Sequence, residues 1–169
     1  MKGMTDRLDD LLAATIARLD GLGIADESLG EFRKPRRLLP APPSMVPTGR
    51  AWRLGVLLLD REGRLYATGQ ITRAIEPGRA AVNRSEQGER RRADRMAASR
   101  GPFARGEVVN FGYEPLAIDD TSLALGSGPL SLDADTGVVT VRWGDGFGEL
   151  GISPIEDYLD DRIALFASD

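Results

Sequence analysis

The chain contains no cysteine and no histidine among its 169 residues. Their absence removes disulfides, the commonest zinc, iron and copper ligands, the cysteine nucleophile and the histidine base. Any chemistry is left to carboxylates, hydroxyls, lysine and arginine, and nothing in the sequence calls for a metal or cofactor. Long apolar runs are missing as well: the longest is about six residues, where a bilayer-spanning helix needs about twenty. Near the N-terminus Asp6, Asp9 and Asp10 interrupt the apolar stretch that a signal peptide requires, so the expected location is cytoplasmic, away from membranes. Aromatic residues are sparse and the net charge is −4, both of which weigh against nucleic acid as a partner.

What is present is an ordinary globular composition, 41% hydrophobic and 28% charged, at a length that suits one structural domain. Charge is unevenly spread: residues 1–72 sum to +2, residues 73–106 to +5 and residues 107–169 to −11. Of the 22 basic residues 20 are arginine, which by itself signals little about function.

The clearest stretch runs from Arg50 to Ile75. Val56 to Leu59 are consecutive and apolar, which suits an interior strand covered on both faces. Asp60-Arg61-Glu62-Gly63 supplies a four-residue turn. A partner strand is expected from Arg64 onward, with Leu65, Ala67, Gly69 and Ile71 on one face and Tyr66, Thr68, Gln70 and Thr72 on the other, more polar face. A binding surface would begin on that polar face, which runs directly into Arg73 and Arg79.

Before the hairpin, Thr5 is positioned to cap a helix whose Leu8, Leu11, Leu12, Thr15, Ile16 and Leu19 form a one-sided stripe, ended by Gly21 or Gly23. Such a stripe covers a sheet or docks a partner. Residues 33–49 read as a proline-rich basic linker: five of the ten prolines fall between Pro35 and Pro47, beside Arg33-Lys34-Pro35-Arg36-Arg37. Backbone of that kind is expected to stay out of a central strand. The organisation is thus a helix over 1–32, the linker over 33–49 and an α+β body over 50–169.

After the hairpin, Arg79, Arg84, Arg90, Arg91, Arg92, Arg95, Arg100 and Arg105 punctuate one segment. Asn83 with Glu86 resembles a capping box, and Gly101-Pro102 is a stop, which predicts an exposed arginine-rich helix near 84–99 with a thin apolar face of Ala93, Met96 and Ala97. Guanidinium groups grip phosphates and carboxylates bidentately, so an anion or an acidic protein surface is the natural partner. The acidic C-terminal portion of this chain or of a sister subunit would serve too, which makes a homo-oligomer one expectation.

From Gly106 onward the texture is β, with short strands expected at Glu107–Phe111, Leu116–Ile118, Ser122–Leu125, Pro129–Leu132 and Val138–Trp143. Asp133-Ala134-Asp135-Thr136-Gly137 departs from a calcium loop in its glycine and twelfth position, and reads as a turn closed by Gly137. Gly146-Phe147-Gly148-Glu149-Leu150-Gly151 matches a dinucleotide fingerprint in letters, but such a turn opens a βαβ unit with the helix starting within the glycines, and here the helix signal comes later with only 18 residues remaining. Ser153-Pro154-Ile155-Glu156 reads as a capping box for a closing helix with Ile155, Tyr158, Leu159, Ile163 and Phe166 on its buried side.

The fold expected is α+β: an antiparallel sheet of about seven strands, barrel-like if it closes, with N- and C-terminal helices packed on it and the arginine-rich helix outside. The expected function is a non-enzymatic binding or assembly module that engages an acidic protein surface or small anion. Its binding residues would be Arg73, Arg79, Arg84, Tyr66, Gln70, Asn110 and Tyr113. The alternative is an enzyme acting on a phosphorylated or carboxylated small molecule, magnesium-assisted or not, with Asp119 or Asp120 in acid-base roles.

Overall fold

The computed structural model describes residues 2–36, 38, 40–79, 85–144 and 150–168. In chain order the elements are α1 (Met4–Gly21), β1 (Glu27–Phe32), β2 (Met45–Leu54), β3 (Leu57–Asp60), β4 (Leu65–Ala67), β5 (Gln70–Arg73), α2 (Glu86–Ser99), β6 (Val108–Phe111) and β7 (Glu114–Pro115). They continue with α3 (Asp120–Leu125), β8 (Leu130–Leu132), β9 (Val139–Gly144), β10 (Leu150–Pro154) and α4 (Ile155–Phe166). Among the described residues, no helix is long and apolar enough to cross a membrane.

The fold is mixed α+β, but two features of the expected sheet are corrected. Its seven strands run β5-β6-β1-β2-β3-β4-β7 and stay open, with β5 and β7 as edges, so there is no barrel. It is also mixed, because β1 and β6 pair in parallel, Ser28 opposite Val109 and Leu29 opposite Asn110. A parallel pair joins segments that no turn connects, so local turn signals carry no trace of it. A second sheet, β10-β9-β8, is antiparallel.

The chain divides into two units, and the boundary at Ala51 and Trp52 falls within β2. The first unit comprises Met1–Ala25, Trp52–Ala67 and Glu114–Asp169. Its core joins Leu8, Leu12 and Leu19 of α1 to Leu54, Leu57, Leu59 and Leu65, to Val139 and Val141, and to Ile155, Tyr158, Leu159 and Ile163 of α4. Both helical stripes therefore face the core where the 3.6-residue period places them, with Leu11 and Ile16 half-buried at the margin of α1 and Phe166 at the end of α4 40% exposed. Thr5 does not cap α1: Gly3 is the N-cap residue, and the Thr5 hydroxyl donates to Asp120.

Asp60 anchors the expected turn. Its carboxylate accepts from the backbone N–H groups of Glu62 and Arg64, from Arg64 Nε and from the Tyr66 hydroxyl, at 2.7–3.0 Å. The preceding turn depends on Gly55, at φ 66°, over which the Tyr158 hydroxyl accepts from Val56 N–H and donates to the Leu54 carbonyl. A Cβ on residue 55 would lie 2.2 Å from that hydroxyl.

Ser122–Leu125, expected as a strand, belongs to α3. Asp119 accepts from the Ser122 backbone N–H and hydroxyl, an N-cap that overrides the β-like residues behind it. Leu116–Ile118 likewise lies outside the strands. Asp133 accepts from the N–H groups of Asp135 and Thr136, as a turn residue does. At α4 the capping box is not formed: Pro154 is the N-cap residue, and Ser153, in β10, accepts from Trp143 Nε1 instead. Residues 145–149 of the glycine-rich stretch lie outside the described residues.

The second unit comprises Asp26–Ala51 and Thr68–Tyr113. Its core is small: Met45, Ala74, Ala97, Ala98, Val109 and Phe111, with Phe103 against them. The proline-rich stretch does enter a central strand, contrary to expectation, since Met45, Val46 and Pro47 pair with Phe32, Glu31 and Gly30. Pro47 is tolerated there because the register shifts between Leu29 and Gly30, where the ladder is already interrupted.

The long partner strand expected from Arg64 to Thr72 is two strands. β4 pairs with β3 only from Leu65 to Ala67, and β5 pairs with β6, Gln70 opposite Phe111 and Arg73 opposite Val108. Gly69 lies at the break. A Cβ there would stand 2.3 Å from the Phe111 carbonyl oxygen, so only glycine lets the two backbones approach so closely. α2 is capped by Ser85, which accepts from Gly88 N–H. Asn83 lies outside the described residues. Of its expected apolar face Ala97 is buried, joined by Ala98 in place of Ala93.

Candidate anion-binding site

On α2 the arginines at 91 and 95 are one turn apart and share a face, with Arg92 beside them. Arg91, Arg92 and Arg95 line a cavity of about 420 Å³ together with Arg79, Gly78 and Gly88. Arg92 is fixed by donating to the Gly78 carbonyl. Arg79, Arg91 and Arg95 are exposed and make no hydrogen bond or ion pair among the described residues. Three exposed guanidinium groups thus line one concavity, and Asp94 lies beside Arg91 and Arg95 in the cavity that adjoins it. A smaller cavity of about 240 Å³ adjoins it and shares Arg91 and Arg95. Gln70, Ile71, Thr72 and Arg73 of β5, Val108 of β6 and Asp94 of α2 complete its wall. Burial pushes the Asp94 carboxyl above the usual carboxylate range.

The residues singled out in the sequence distribute unevenly. Arg79 lines the larger cavity, and Gln70 and Arg73 line the smaller one. Arg73 also donates to the Gly106 carbonyl at 3.2 Å. Arg84 lies outside the described residues. Tyr66 is in the first unit, buried, with its hydroxyl on Asp60. Asn110 is fully buried, and its Nδ2 donates to Glu27 at 2.7 Å and to the Ser28 carbonyl at 3.3 Å, across the β1–β6 pair. The Tyr113 hydroxyl lies 2.5 Å from Thr48 Oγ1 and donates to Glu31, and burial raises its pKa. Neither Asn110 nor Tyr113 lines the two cavities.

Asp119 and Asp120 belong to the first unit. Asp119 is held below the usual carboxylate range by the hydrogen bonds from the Ser122 hydroxyl and backbone, and Asp120 accepts from Thr5 at 2.6 Å. Among the described residues, no group of three or more acidic side chains is placed to hold a metal ion.

Two sets of residues escaped the sequence reading. The first is Asp94 with the wall of β5 beside Arg91 and Arg95: the two arginines belong to the segment expected to bind anions, but the pairing of β5 with β6 that sets a strand against them leaves no local signal. The second is a polar network on β1, β2 and the start of β6. Arg50 donates to Asp26 Oδ1 and to its backbone carbonyl at 2.7 Å, and also to Ser28 and Glu107. Glu107 accepts in addition from Ser28 at 2.7 Å and from Ala104 N–H at 3.2 Å. The Arg50 hydrogen bond, followed by that from Ser28, holds the Glu107 carboxyl below its usual pKa. The donors and acceptors of this network satisfy one another, so it ties strands together. No sequence signal marks it, because its side-chain pairs are 22 to 79 positions apart.

Compared with protein-family models, with curated proteins and with solved structures, the chain matches none of them.

Proposed function

We propose that the protein is a non-enzymatic binding module whose arginine-lined cavity on α2 holds a small anion. The carrying observation is the convergence of Arg79, Arg91 and Arg95, exposed and in no ion pair with a described residue, around one concavity in which Arg92 is already fixed. Planar guanidinium groups form paired hydrogen bonds to phosphate or carboxylate oxygens, and their mutual repulsion in the empty state is relieved when an anion enters. An acidic protein surface is the other class of occupant the charge would suit. The concave wall favours a compact group over a flat one, because only a compact group reaches several of the arginines at once.

The enzymatic reading has less support. Asp119 is committed to capping α3 and Asp120 to Thr5, so neither is held free for proton transfer.

Isothermal titration calorimetry of the full chain with pyrophosphate tests the proposal. Binding is expected at low salt, weakening as salt rises, and lost in the Arg91→Ala/Arg95→Ala variant while the circular dichroism spectrum stays unchanged. Absence of binding at low salt, or unaltered binding by the double variant, overturns it.

A further inference from the structure

The two cavities on the second unit share Arg91 and Arg95 but differ in chemistry on either side of that pair. On one side the wall is cationic, with Arg79 and Arg92 beside the shared pair. On the other it carries Asp94, the exposed amide of Gln70, Thr72 and the side chain of Ile71, which is 54% exposed. We propose, building on the anion-binding reading, that the occupant is a nucleoside phosphate: its phosphates lie among Arg79, Arg91 and Arg95, and its nucleoside lies over Ile71 with a hydroxyl or amino group donating to Asp94.

Each part of the wall selects against a simpler anion. Asp94 makes no hydrogen bond or ion pair with a described residue, although Arg91 and Arg95 are three positions before it and one after. A half-buried carboxylate without a donor is unfavourable, and a ligand that brings a donor removes the deficit. An inorganic polyanion would meet like charge there. Ile71 is an exposed β-branched side chain on an edge strand, and a flat heterocycle covers it where a sugar phosphate alone does not. The Arg91 and Arg95 guanidinium planes also offer a stacking surface to a base, as an ammonium group would not. Gln70, with one donor and one acceptor group, matches the mixed edge of a base.

The test compares ADP, ribose 5-phosphate and pyrophosphate by calorimetry on the full chain and on two variants. ADP is expected to bind about tenfold more tightly than pyrophosphate, the worth of one hydrogen bond to a charged acceptor, and more tightly than ribose 5-phosphate, which has no base to cover Ile71. Asp94→Asn should weaken ADP and strengthen pyrophosphate, because it removes an acceptor for the first and a repulsion for the second. Arg91→Ala/Arg95→Ala should lose both. Equal affinity for ADP and pyrophosphate overturns the nucleoside assignment and leaves the anion-binding reading standing. Equal affinity for ADP and ribose 5-phosphate overturns the base contact with Ile71, and with it the assignment. Strengthening of both ligands by Asp94→Asn overturns the role of Asp94. Binding of none of the three overturns the anion-binding reading itself.

Discussion

Replacing Asp60 should unfold the turn after β3 in a way that depends on Tyr66. Asp60 is 2% exposed, and its two oxygens serve different partners. Oδ1 accepts from the N–H groups of Glu62 and Arg64, and Oδ2 from the Tyr66 hydroxyl at 2.9 Å and from Arg64 Nε at 2.7 Å. Arg64 is largely in water, so its share is screened and its loss is small. The two amides and the buried hydroxyl carry the effect. Asp60→Ala strands three donors at about 1 kcal/mol each, for a loss of about 3 kcal/mol. Tyr66→Phe removes one neutral donor to a charged acceptor, about 1.5 kcal/mol. In the double variant the second loss largely vanishes, because the acceptor has already gone, so the coupling energy should be about 1.5 kcal/mol. Urea unfolding followed by tryptophan fluorescence reads this locally, since Trp52 and Trp143 both lie in the unit that contains the turn. Additivity of the two single variants within about 0.5 kcal/mol would refute the assignment of the Tyr66 hydroxyl to Asp60.

Three further outcomes are expected. Gly55→Ala combines a left-handed backbone with a Cβ 2.2 Å from the Tyr158 hydroxyl, and should cost about 3 kcal/mol in urea unfolding, with Tyr158→Phe adding little in that background. Gly151→Ala pushes a methyl group into the Trp143 indole, whose nearest atoms lie 2.2–2.6 Å from the new Cβ, and should shift Trp143 emission toward that of water while costing about 1 kcal/mol. The third concerns pH. Because Arg50 and Ser28 depress the folded-state pKa of Glu107, the carboxylate's contribution is present above the unfolded value near 4.5 and disappears as pH falls through the lower folded value. Urea midpoints should therefore decline more steeply on acidification below that value in the wild type than in Glu107→Gln, and equal slopes would contradict the linkage.

Periodicity carried the parts of the fold that are local. The α1 stripe, most of the α4 stripe, Leu57–Leu59 of the apolar run and the Asp60–Gly63 turn are each specified by residues a few positions apart and found where the pattern lies, whereas Val56 falls in the turn with Gly55. Polar capping outweighed apparent β texture at Asp119, where one side chain holding Ser122 decides the conformation of six residues. Proline at 47 misled because the rule against proline in a central strand assumes an unbroken ladder, and the shift at Leu29 and Gly30 breaks it. The parallel β1–β6 pair was invisible for a different reason. Its stability rests on contacts between positions about eighty apart, such as Asn110 with Glu27, and no window of sequence contains both partners.

The break at Gly69 is the one that bears on the candidate site. Read as one continuous strand, residues 64–72 set Tyr66, Thr68 and Gln70 side by side as a single polar face. Gly69 ends that strand, because the close approach to the Phe111 carbonyl leaves no room for a side chain, and the chain that leaves it pairs with β6 instead. The polar face is thereby cut in two, with Tyr66 turned to Asp60 and Gln70 left on the strand that runs under α2. Pairing with β6 is also what sets Ile71 and Arg73 against Arg91 and Arg95, since Val108 of β6 shares the same wall. The candidate site therefore follows from a backbone event, a single residue without a side chain, and its arginines gain a second wall only because that residue is glycine. A bulkier residue at 69 should accordingly weaken anion binding as well as stability, although it touches neither cavity, whereas a change confined to Tyr66 should leave anion binding intact.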